Sequence, residues 1–210
     1  KQFNLTYANK GLGPKLVAVH SGNFHADDVF AAMLLRAIYL KAKIIRSRDI
    51  EEINRCDIVV DVGLRYEPDN LRFDHHQEGR AGKRRNGIEY SGFGLVWKHW
   101  GMEICEGNKE LYDDIDRIIV QPIDAQDNGQ PLYENRVYKD IGELNLDGIL
   151  KKAFNPHKHN EEIAYKRFVE SMDFAEDIFS RLLENRRELI KEKKDIINDY
   201  TKREDKRFII

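Results

Sequence analysis

Four separate segments of this chain each end an apolar run with a carboxylate or an imidazole. The densest is Asp74-His75-His76, which directly follows the apolar-alternating run at 71–73. Mixed Asp and His ligation without cysteine suits divalent Mn, Zn, Co or Fe better than a structural zinc ion. Two such cations side by side clamp the attacking and the leaving oxygen of a phosphoryl transfer. These residue types therefore indicate metal-dependent phosphoryl chemistry.

The other three segments supply the remaining candidate ligands. Asp61 ends a Val-rich strand, and a buried acid is costly there unless a cation neutralises it. We therefore expect Asp61 to bridge both ions and to act in catalysis. His20 and His25 would ligate as neutral imidazoles, with a buried hydrogen-bonded pair as the alternative. The full set of predicted metal ligands is His20, His25, Asp27, Asp61, Asp74, His75, Asp124 and Asp127.

Two pairs of neighbouring acids leave a choice of ligand. Asp27 and Asp28 open a helix, where carboxylates also suit the helix dipole and the cap. We expect Asp27 to face the metals and Asp28 to support the turn. Asp124 and Asp127 lie one helical turn apart, so both could face one site, with Asp124 the weaker candidate.

Other polar residues fit roles beside the metals. His76 is predicted to be the general acid or a phosphate ligand, because adjacent residues on a strand point opposite ways. Arg46 and Arg48 alternate at a strand end, where an arginine fork matches phosphate oxygens; a solvated strand terminus is the alternative. The basic loop at 80–87 could track a nucleic-acid backbone, or be merely solvated. The predicted substrate-binding residues are Arg46, Arg48, Lys83, Arg84 and Arg85.

Aromatic residues near the basic loop could stack nucleobases. Tyr90, Phe93, Trp97 and Trp100 follow this loop, and the last two belong to a predicted helix that begins after Ser91. Because Trp97 and Trp100 have the spacing of one helix face, we favour core packing for that pair.

Short β-rich runs at 16–19, 43–46, 57–60 and 71–73 predict four strands, and the periodicity of 27–40 predicts a helix. The order predicts an α/β fold: a mostly parallel open sheet with helices on both faces, which binds ligands beyond the carboxyl ends of its strands. Ser91 is expected to cap a helix that Gly101 ends. Residues 109–123 are expected to form a helix that delivers Asp124, and 129–139 to be irregular.

From residue 161 the chain changes character. Apolar residues at a spacing of three and four predict one or two long helices through 207. We expect a metal-binding domain at 1–160, a helical linker at 161–207, and the start of a truncated domain at 208–210. The first half of the apolar seam at 168–200 is expected to pack on the sheet domain. Its second half is left open, with homodimer formation through the seam as an alternative.

Composition limits the function classes. The chain has 210 residues, 41% hydrophobic, enough for one sizeable core. Its 35 basic and 37 acidic residues give no general basic excess, so any nucleic-acid binding must be local. Cys56 and Cys105 lack metal-type spacing and are expected to be core thiols in a reduced, intracellular setting. No apolar run approaches the roughly 20 residues of a membrane span, so no membrane partner is expected.

The ordered blocks resemble the DHH phosphoesterase superfamily, and more narrowly its melanocyte-proliferating-gene (Myg-type) branch. The resemblance runs from about residue 16 to the helix near 179. It is carried by His-x4-His-x-Asp at 20–27, Arg-x-Arg-Asp at 46–49, Val-Val-Asp-Val-Gly at 59–63, Asp-His-His-Gln at 74–77 and Asp-Ala-x-Asp-Asn-Gly at 124–129. The chain departs from the wider superfamily at His25, where an Asp is usual.

The resemblance implies a two-metal, Mn-type centre in an α/β domain, followed by a linker helix and a substrate-binding domain. It also implies 3′-5′ RNA exonuclease activity, with a mitochondrial and nuclear location in a eukaryote and a cytoplasmic one otherwise. We therefore predict a divalent-metal-dependent phosphohydrolase that uses two Mn ions, with Mg, Co or Zn as alternatives, and acts on RNA or a short oligonucleotide. The alternatives are a phosphatase for pyrophosphate or short nucleotides, and a non-catalytic metal-binding interaction module.

Overall fold

A computed structural model describes residues 15–39, 42–133, 144–157 and 160–202. Its centre is a five-stranded sheet in the order β2-β1-β3-β5-β4. Three pairings are parallel, and β4 alone runs antiparallel, beside β5. The strands are β1 (Leu16–Val19), β2 (Lys43–Arg46), β3 (Ile58–Val60), β4 (Tyr66–Glu67) and β5 (Arg72–Phe73). This confirms the predicted α/β fold with a mostly parallel sheet; the two-residue β4 was not predicted.

Helices cover both faces of the sheet, as expected, but unequally. Val17, Val19 and Phe73 belong to the larger core, which lies under the long helices. Ala18 and Val59 point the other way and pack beneath the short helix α2 (Ile50–Asn54), because successive strand residues alternate between faces. Cys56 and Cys105 are free and buried, so their assignment to the core is confirmed.

The remaining described helices build the larger core. α1 (Ala26–Ile38) packs against α3 (Gly92–Ile104) and α7 (Glu161–Lys202). A nearly continuous helical stretch also follows α3. It consists of α4 (Lys109–Ile115), a π-helical turn (Asp116–Val120) and α5 (Gln121–Asp127); α6 (Leu146–Ala153) comes later in the chain.

Two details of α3 differ from prediction. The Ser91 side chain makes no hydrogen bond to the helix end and donates to Asp124 instead. Gly101 does not end the helix, which continues to Ile104. A Cβ at Gly101 would overlap Trp97 and Tyr112, so this glycine permits close packing of α3.

α7 is one helix of 42 residues. Its first half packs on the sheet domain, as expected, and Phe168 and Phe179 are fully buried. Further along the helix, Leu183 and Ile190 are also buried. Beyond Ile190 the described side chains are mostly exposed. Arg186 and Lys193, which interrupt the seam in sequence, form ion pairs with acids of α4, Asp114 and Glu110.

Several predictions fall wholly or partly outside the described residues: the end of the linker helix at 203–207, the start of a further domain at 208–210, and the part of the irregular segment at 134–139. Within the described residues no helix is long and apolar enough to span a bilayer.

Candidate metal centre

Three neighbouring strands deliver the central side chains of the site. β1 ends at Val19 and is followed by His20, and β3 ends at Val60 and is followed by Asp61. β5 ends at Phe73 and is followed by Asp74-His75-His76. Because β1, β3 and β5 are adjacent and parallel, their carboxyl ends meet at one edge of the sheet.

Asp61 lies at the middle of this edge. Its Oδ2 is 3.4 Å from Nε2 of His20, and its Oδ1 is 3.2 Å from Nε2 of His75. Nδ1 of His76 lies 3.4 Å from the same Oδ1. Asp61 is buried and adopts the left-handed backbone conformation (φ 57°), which Asp tolerates better than most residues. One carboxylate thus faces imidazoles delivered by two different strands.

The start of α1 adds two carboxylates. Asp28 Oδ2 lies 3.2 Å from His20 Nε2, and its Oδ1 accepts a hydrogen bond from the backbone N–H of His25 at 2.8 Å. We expected Asp28 only to support the turn, but it also faces the site. Asp27 Oδ2 is 3.9 Å from His75 Nε2. Both acids are fully buried.

α5 contributes Asp127, its last residue. Its Oδ2 lies 3.2 Å from His75 Nε2, and its Oδ1 lies 3.4 Å from His25 Nδ1. Asn128 also reaches the site: its Oδ1 lies 3.2 Å from His75 Nδ1, which fixes the ring so that Nε2 faces the acids. We had not predicted this role for Asn128, although it belongs to the Asp-Asn-Gly run.

Among the described residues, three groups bring ligand atoms close enough to share a cation. They are His20, Asp28 and Asp61; Asp61, His75 and His76; and His25, Asp27 and Asp127. Asp74 is buried next to these groups, but both of its carboxylate oxygens contact neighbouring groups of the protein. Its Oδ1 accepts a hydrogen bond from the His75 N–H at 2.7 Å and lies 2.8 Å from His76 Nδ1. Its Oδ2 accepts a hydrogen bond from the Leu64 N–H at 2.6 Å.

Asp124 lies outside these three groups. Its Oδ1 accepts from the Ser91 hydroxyl at 2.6 Å and from the Gly94 N–H at 2.9 Å, and its Oδ2 accepts from Arg84 at 2.6 Å. A Cβ at Gly94 would overlap this carboxylate, so only glycine allows the approach. The start of α3 also donates from the Gly92 N–H to Asp27 Oδ2 at 3.2 Å. The helix dipole favours both acids at this end.

The predicted substrate-binding residues are spread over different environments. Arg84 is buried, pairs with Asp116 and Asp124, and stacks on Tyr90, so its guanidinium is committed to neighbours in the protein. Lys83 and Arg85 beside it are exposed. Arg46 donates to the Gly22 carbonyl and lies over the rings of Phe24 and Phe168. Arg48 is exposed and lines the cavity of the metal centre.

Core packing of Trp97 and Trp100, the favoured interpretation, is confirmed, and base stacking by Phe93 is wrong. All three are buried in the core: Phe93 contacts Phe30 of α1, Phe93 and Trp97 contact Phe179 of α7, and Trp100 contacts Phe73 of β5. Tyr90 is partly buried and contacts Arg84 and Lys98.

The site concentrates buried carboxylates, and this shifts the pKa values of its residues. Burial raises the pKa of Asp28 to about 7, and burial together with Asp61 raises the pKa of Asp27 well above its ordinary value. Burial opposes protonation of His75, but its hydrogen bonds with Asp127 and Asp61 outweigh it and raise the His75 pKa to about 10. Burial lowers the pKa of His20. A nearby positive charge would stabilise the ionised form of these buried acids.

The donor set fits divalent cations. Asp27 Oδ1 and Asp28 Oδ2 are buried without a hydrogen-bond donor, and such groups are costly unless something else satisfies them. The ion pairs described for Asp27, Asp28, Asp61 and Asp127 all run to histidines. The ligand set consists of carboxylates and imidazoles and contains no thiolate. Such a set suits divalent Mn, Co, Zn or Mg.

A family comparison agrees with the motifs. The MYG1 exonuclease model, described as an uncharacterised protein family (UPF0160), matches residues 16–209. The chain belongs to this family. Among curated MYG1 relatives, the MYG1 protein of Dictyostelium discoideum is 32% identical over 179 residues, which cover 78% of this chain and 54% of the relative. The MYG1 exonuclease of Homo sapiens is 30% identical over 196 residues, covering 84% of this chain and 52% of the relative.

A bacterial MYG1 protein is similar to the same extent. That of Chlamydia muridarum is 35% identical over 173 residues, covering 81% of this chain and 55% of the relative. The chain thus spans about half the length of the MYG1 relatives it matches. No solved structure matches the chain.

The metal centre opens into a cavity of about 420 Å³. A second cavity, of about 480 Å³, lies between α5 and the start of α6. It is larger, but among the described residues its lining includes no histidine and only one carboxylate, Asp147. The chemistry of the side chains, and not cavity size, therefore identifies the site.

Proposed function

We propose that this MYG1-family chain is a divalent-metal-dependent phosphohydrolase of the DHH type that removes nucleotides from the 3′ end of RNA. The observation that carries the proposal is the position of Asp61, whose two carboxylate oxygens face His20 and His75 separately. A buried acid between two sets of imidazoles and carboxylates is the arrangement expected of a bridging ligand. Several mammalian relatives are named MYG1 exonuclease, which supports a nuclease activity.

We assign two cation sites that share Asp61. One uses His20, Asp28 and Asp61; the other uses Asp27, Asp61, His75 and Asp127, with His25 beside Asp127. When bound, the cations would supply charge that acidifies a water molecule and offsets charge on phosphate oxygens. The carboxylates hold this charge in a buried position, where electrostatic interactions are stronger than in water.

His76 is proposed as the proton donor to the leaving oxygen. Its side chain is half exposed and lines the cavity, whereas that of His75 is buried. Asp74 lies 2.8 Å from Nδ1 of His76, which orients the ring and leaves Nε2 for the substrate. An acid that orients an imidazole and stabilises its protonated form is a recurrent arrangement in general acid catalysis.

A second candidate is a phosphatase for short nucleotides. The cavity of about 420 Å³ is in the size range of small-ligand sites, and Arg84, at the centre of the basic loop, is bound to Asp116 and Asp124. A short substrate would not need the loop to follow a nucleic-acid backbone. Affinity that falls steeply with salt would favour RNA, since a long substrate engages many phosphates.

The test is parallel hydrolysis of 3′-labelled RNA, 5′-labelled RNA, single-stranded DNA and pyrophosphate, each with Mn, Mg, Co or Zn. Stepwise shortening from the 3′ end with divalent metal, abolished by EDTA and by Asp61→Asn, is the expected result. Asp69→Asn, at an exposed acid, is the matched control. No hydrolysis of any substrate with any metal would reject the proposal and favour a non-catalytic metal-binding module.

A further inference from the structure

The cavity of the metal centre has an apolar part that the chemistry does not use. Besides His20, His25, Asp61, Asp74 and His76, the cavity is lined by Ile50, Ile53, Val62 and Leu64, with Arg48 also present. Pyrophosphate or inorganic phosphate would gain nothing from aliphatic side chains. This composition indicates a ligand with an apolar part attached to a phosphate.

Two of these aliphatic side chains are exposed to solvent. Leu64 is 62% exposed and Ile50 is 52% exposed. Single exposed apolar residues are ordinary, but these two line the same cavity as the catalytic candidates. Both follow site elements closely: Leu64 lies three residues after Asp61, and Ile50 begins α2 shortly after β2.

The backbone of Leu64 is strained. It adopts a left-handed conformation (φ 55°) directly after Gly63 (φ 95°), and left-handed backbone is unfavourable for a leucine. Its N–H donates to Oδ2 of Asp74 at 2.6 Å, and Asp74 in turn contacts His76. The acid that orients the proposed proton donor therefore also fixes the exposed leucine. A glycine would relieve the strain, so a leucine at this position points to use of its side chain.

We infer that Ile50 and Leu64 form a nucleobase subsite for the nucleotide whose phosphate lies at the metal centre, with Arg48 contacting a phosphate oxygen. The inference rests on the proposed function. A base presents flat apolar faces that can pack on aliphatic side chains as well as on aromatic rings. The cavity volume of about 420 Å³ is suitable for one nucleotide.

The subsite would bind bases without distinguishing their sequence. Leucine and isoleucine side chains offer no hydrogen-bond donor or acceptor to base edges, and sequence readout requires such contacts. Among the described residues that line this cavity, none is Phe, Tyr or Trp. Contact with the base therefore falls to aliphatic groups, and its contribution should be at the lower end of base-stacking energies.

The first test compares two RNA oligonucleotides that differ only in the 3′-terminal residue, which is either an ordinary nucleotide or an abasic one. Leu64→Gly and Ile50→Ser should each raise KM about fivefold for the ordinary terminus and leave the abasic one unchanged. Leu64→Gly relieves backbone strain, so it should fold. Ile196→Ser, at an equally exposed apolar position on the far part of α7, is the control. Equal effects on both substrates, or none, would overturn the inference.

The second test does not depend on catalysis. Binding of AMP and of ribose 5-phosphate to the Mn-loaded protein is measured by calorimetry. AMP should bind at least about fivefold more tightly than ribose 5-phosphate to the wild type, and Leu64→Gly should reduce that preference about fivefold. Equal affinity of the wild type for both ligands would overturn the subsite even if RNA is hydrolysed. A preference for AMP without any hydrolysis would support the subsite and reject the proposed function.

Discussion

The guanidinium of Arg84 donates to the carboxylate of Asp124 at 2.6 Å inside the fold, where the Arg84 side chain is only 8% exposed and that of Asp124 is fully buried. The two residues are 40 positions apart in the chain. Through Ser91 and Gly94, the same carboxylate holds the start of α3, whose Gly92 donates to Asp27. This pair therefore connects the basic loop to the wall of the metal centre.

Removing Arg84 should destabilise the fold strongly. Arg84→Ala leaves Asp124 as a buried charge without a cation, which should cost about 3–5 kcal/mol of unfolding free energy at neutral pH or above. Burial raises the pKa of Asp124 to about 6 although Arg84 lowers it, so loss of Arg84 should raise that pKa further, and protonation in mild acid should reduce the loss of stability. Urea unfolding at two pH values measures both effects. Arg85→Ala, at the exposed neighbour, should change stability by no more than about 0.5 kcal/mol. Similar losses in the two variants would contradict the structural role.

Asp61 should be the most sensitive ligand to replacement. Asp61→Asn keeps the size of the side chain but removes the charge that we assign to both cations. Calorimetric titration should show two Mn ions bound to the wild type, and affinity in the variant lower by at least about tenfold for both. Asp69→Asn should bind like the wild type. Retention of either site at full affinity in Asp61→Asn would rule out a shared bridging carboxylate.

The metal-free protein should lose stability as pH rises above neutrality. In the folded state His75 keeps its proton up to a pKa of about 10, whereas its ordinary value is 6.5. The folded state therefore binds more protons between these values. From about pH 7.5 to about pH 8.5 the unfolding free energy should fall by roughly 1 kcal/mol, and His75→Gln should flatten this slope. Asp127, whose pKa is lowered by its bonds to His25 and His75 despite burial, matters only in acid.

Added Mn should reverse that trend. Ligation needs the unprotonated imidazole, so the metal competes with the proton and stabilises the protein more at the higher pH. Thermal unfolding with and without Mn at both pH values gives the comparison. An equal stabilisation at both pH values would argue against His75 as a ligand.

The two halves of α7 should differ in their contribution to stability. Phe179 is fully buried against Phe93 and Trp97, so Phe179→Ala should cost about 3–5 kcal/mol. Ile196 is 53% exposed, and Ile196→Ala should cost less than about 1 kcal/mol. Chemical unfolding measures both. If Ile196→Ala lost much stability only at high protein concentration, that would indicate a homodimer formed through the exposed part of the predicted seam. Sedimentation would then detect the dimer.

Local sequence patterns were sufficient to predict the candidate ligands and the strands and helices that carry most of them. Apolar runs ended by Asp or His predicted the strands β1, β3 and β5, and parallel strands must bring such ends together at one edge. The periodicity of α7 likewise predicted that its first half would be buried. These inferences rely on local patterns, which survive in any fold that buries the apolar residues.

Neighbouring residues of the same type could be told apart only from their packing in the folded chain. Asp124 and Asp127 have the same side chain one helical turn apart, yet one faces Arg84 and the start of α3, and the other faces His25 and His75. Asp28 likewise supports its turn and also reaches His20. Which side chain an acid contacts depends on how the helices pack across the sheet. The spacing of residues along the sequence does not specify that packing.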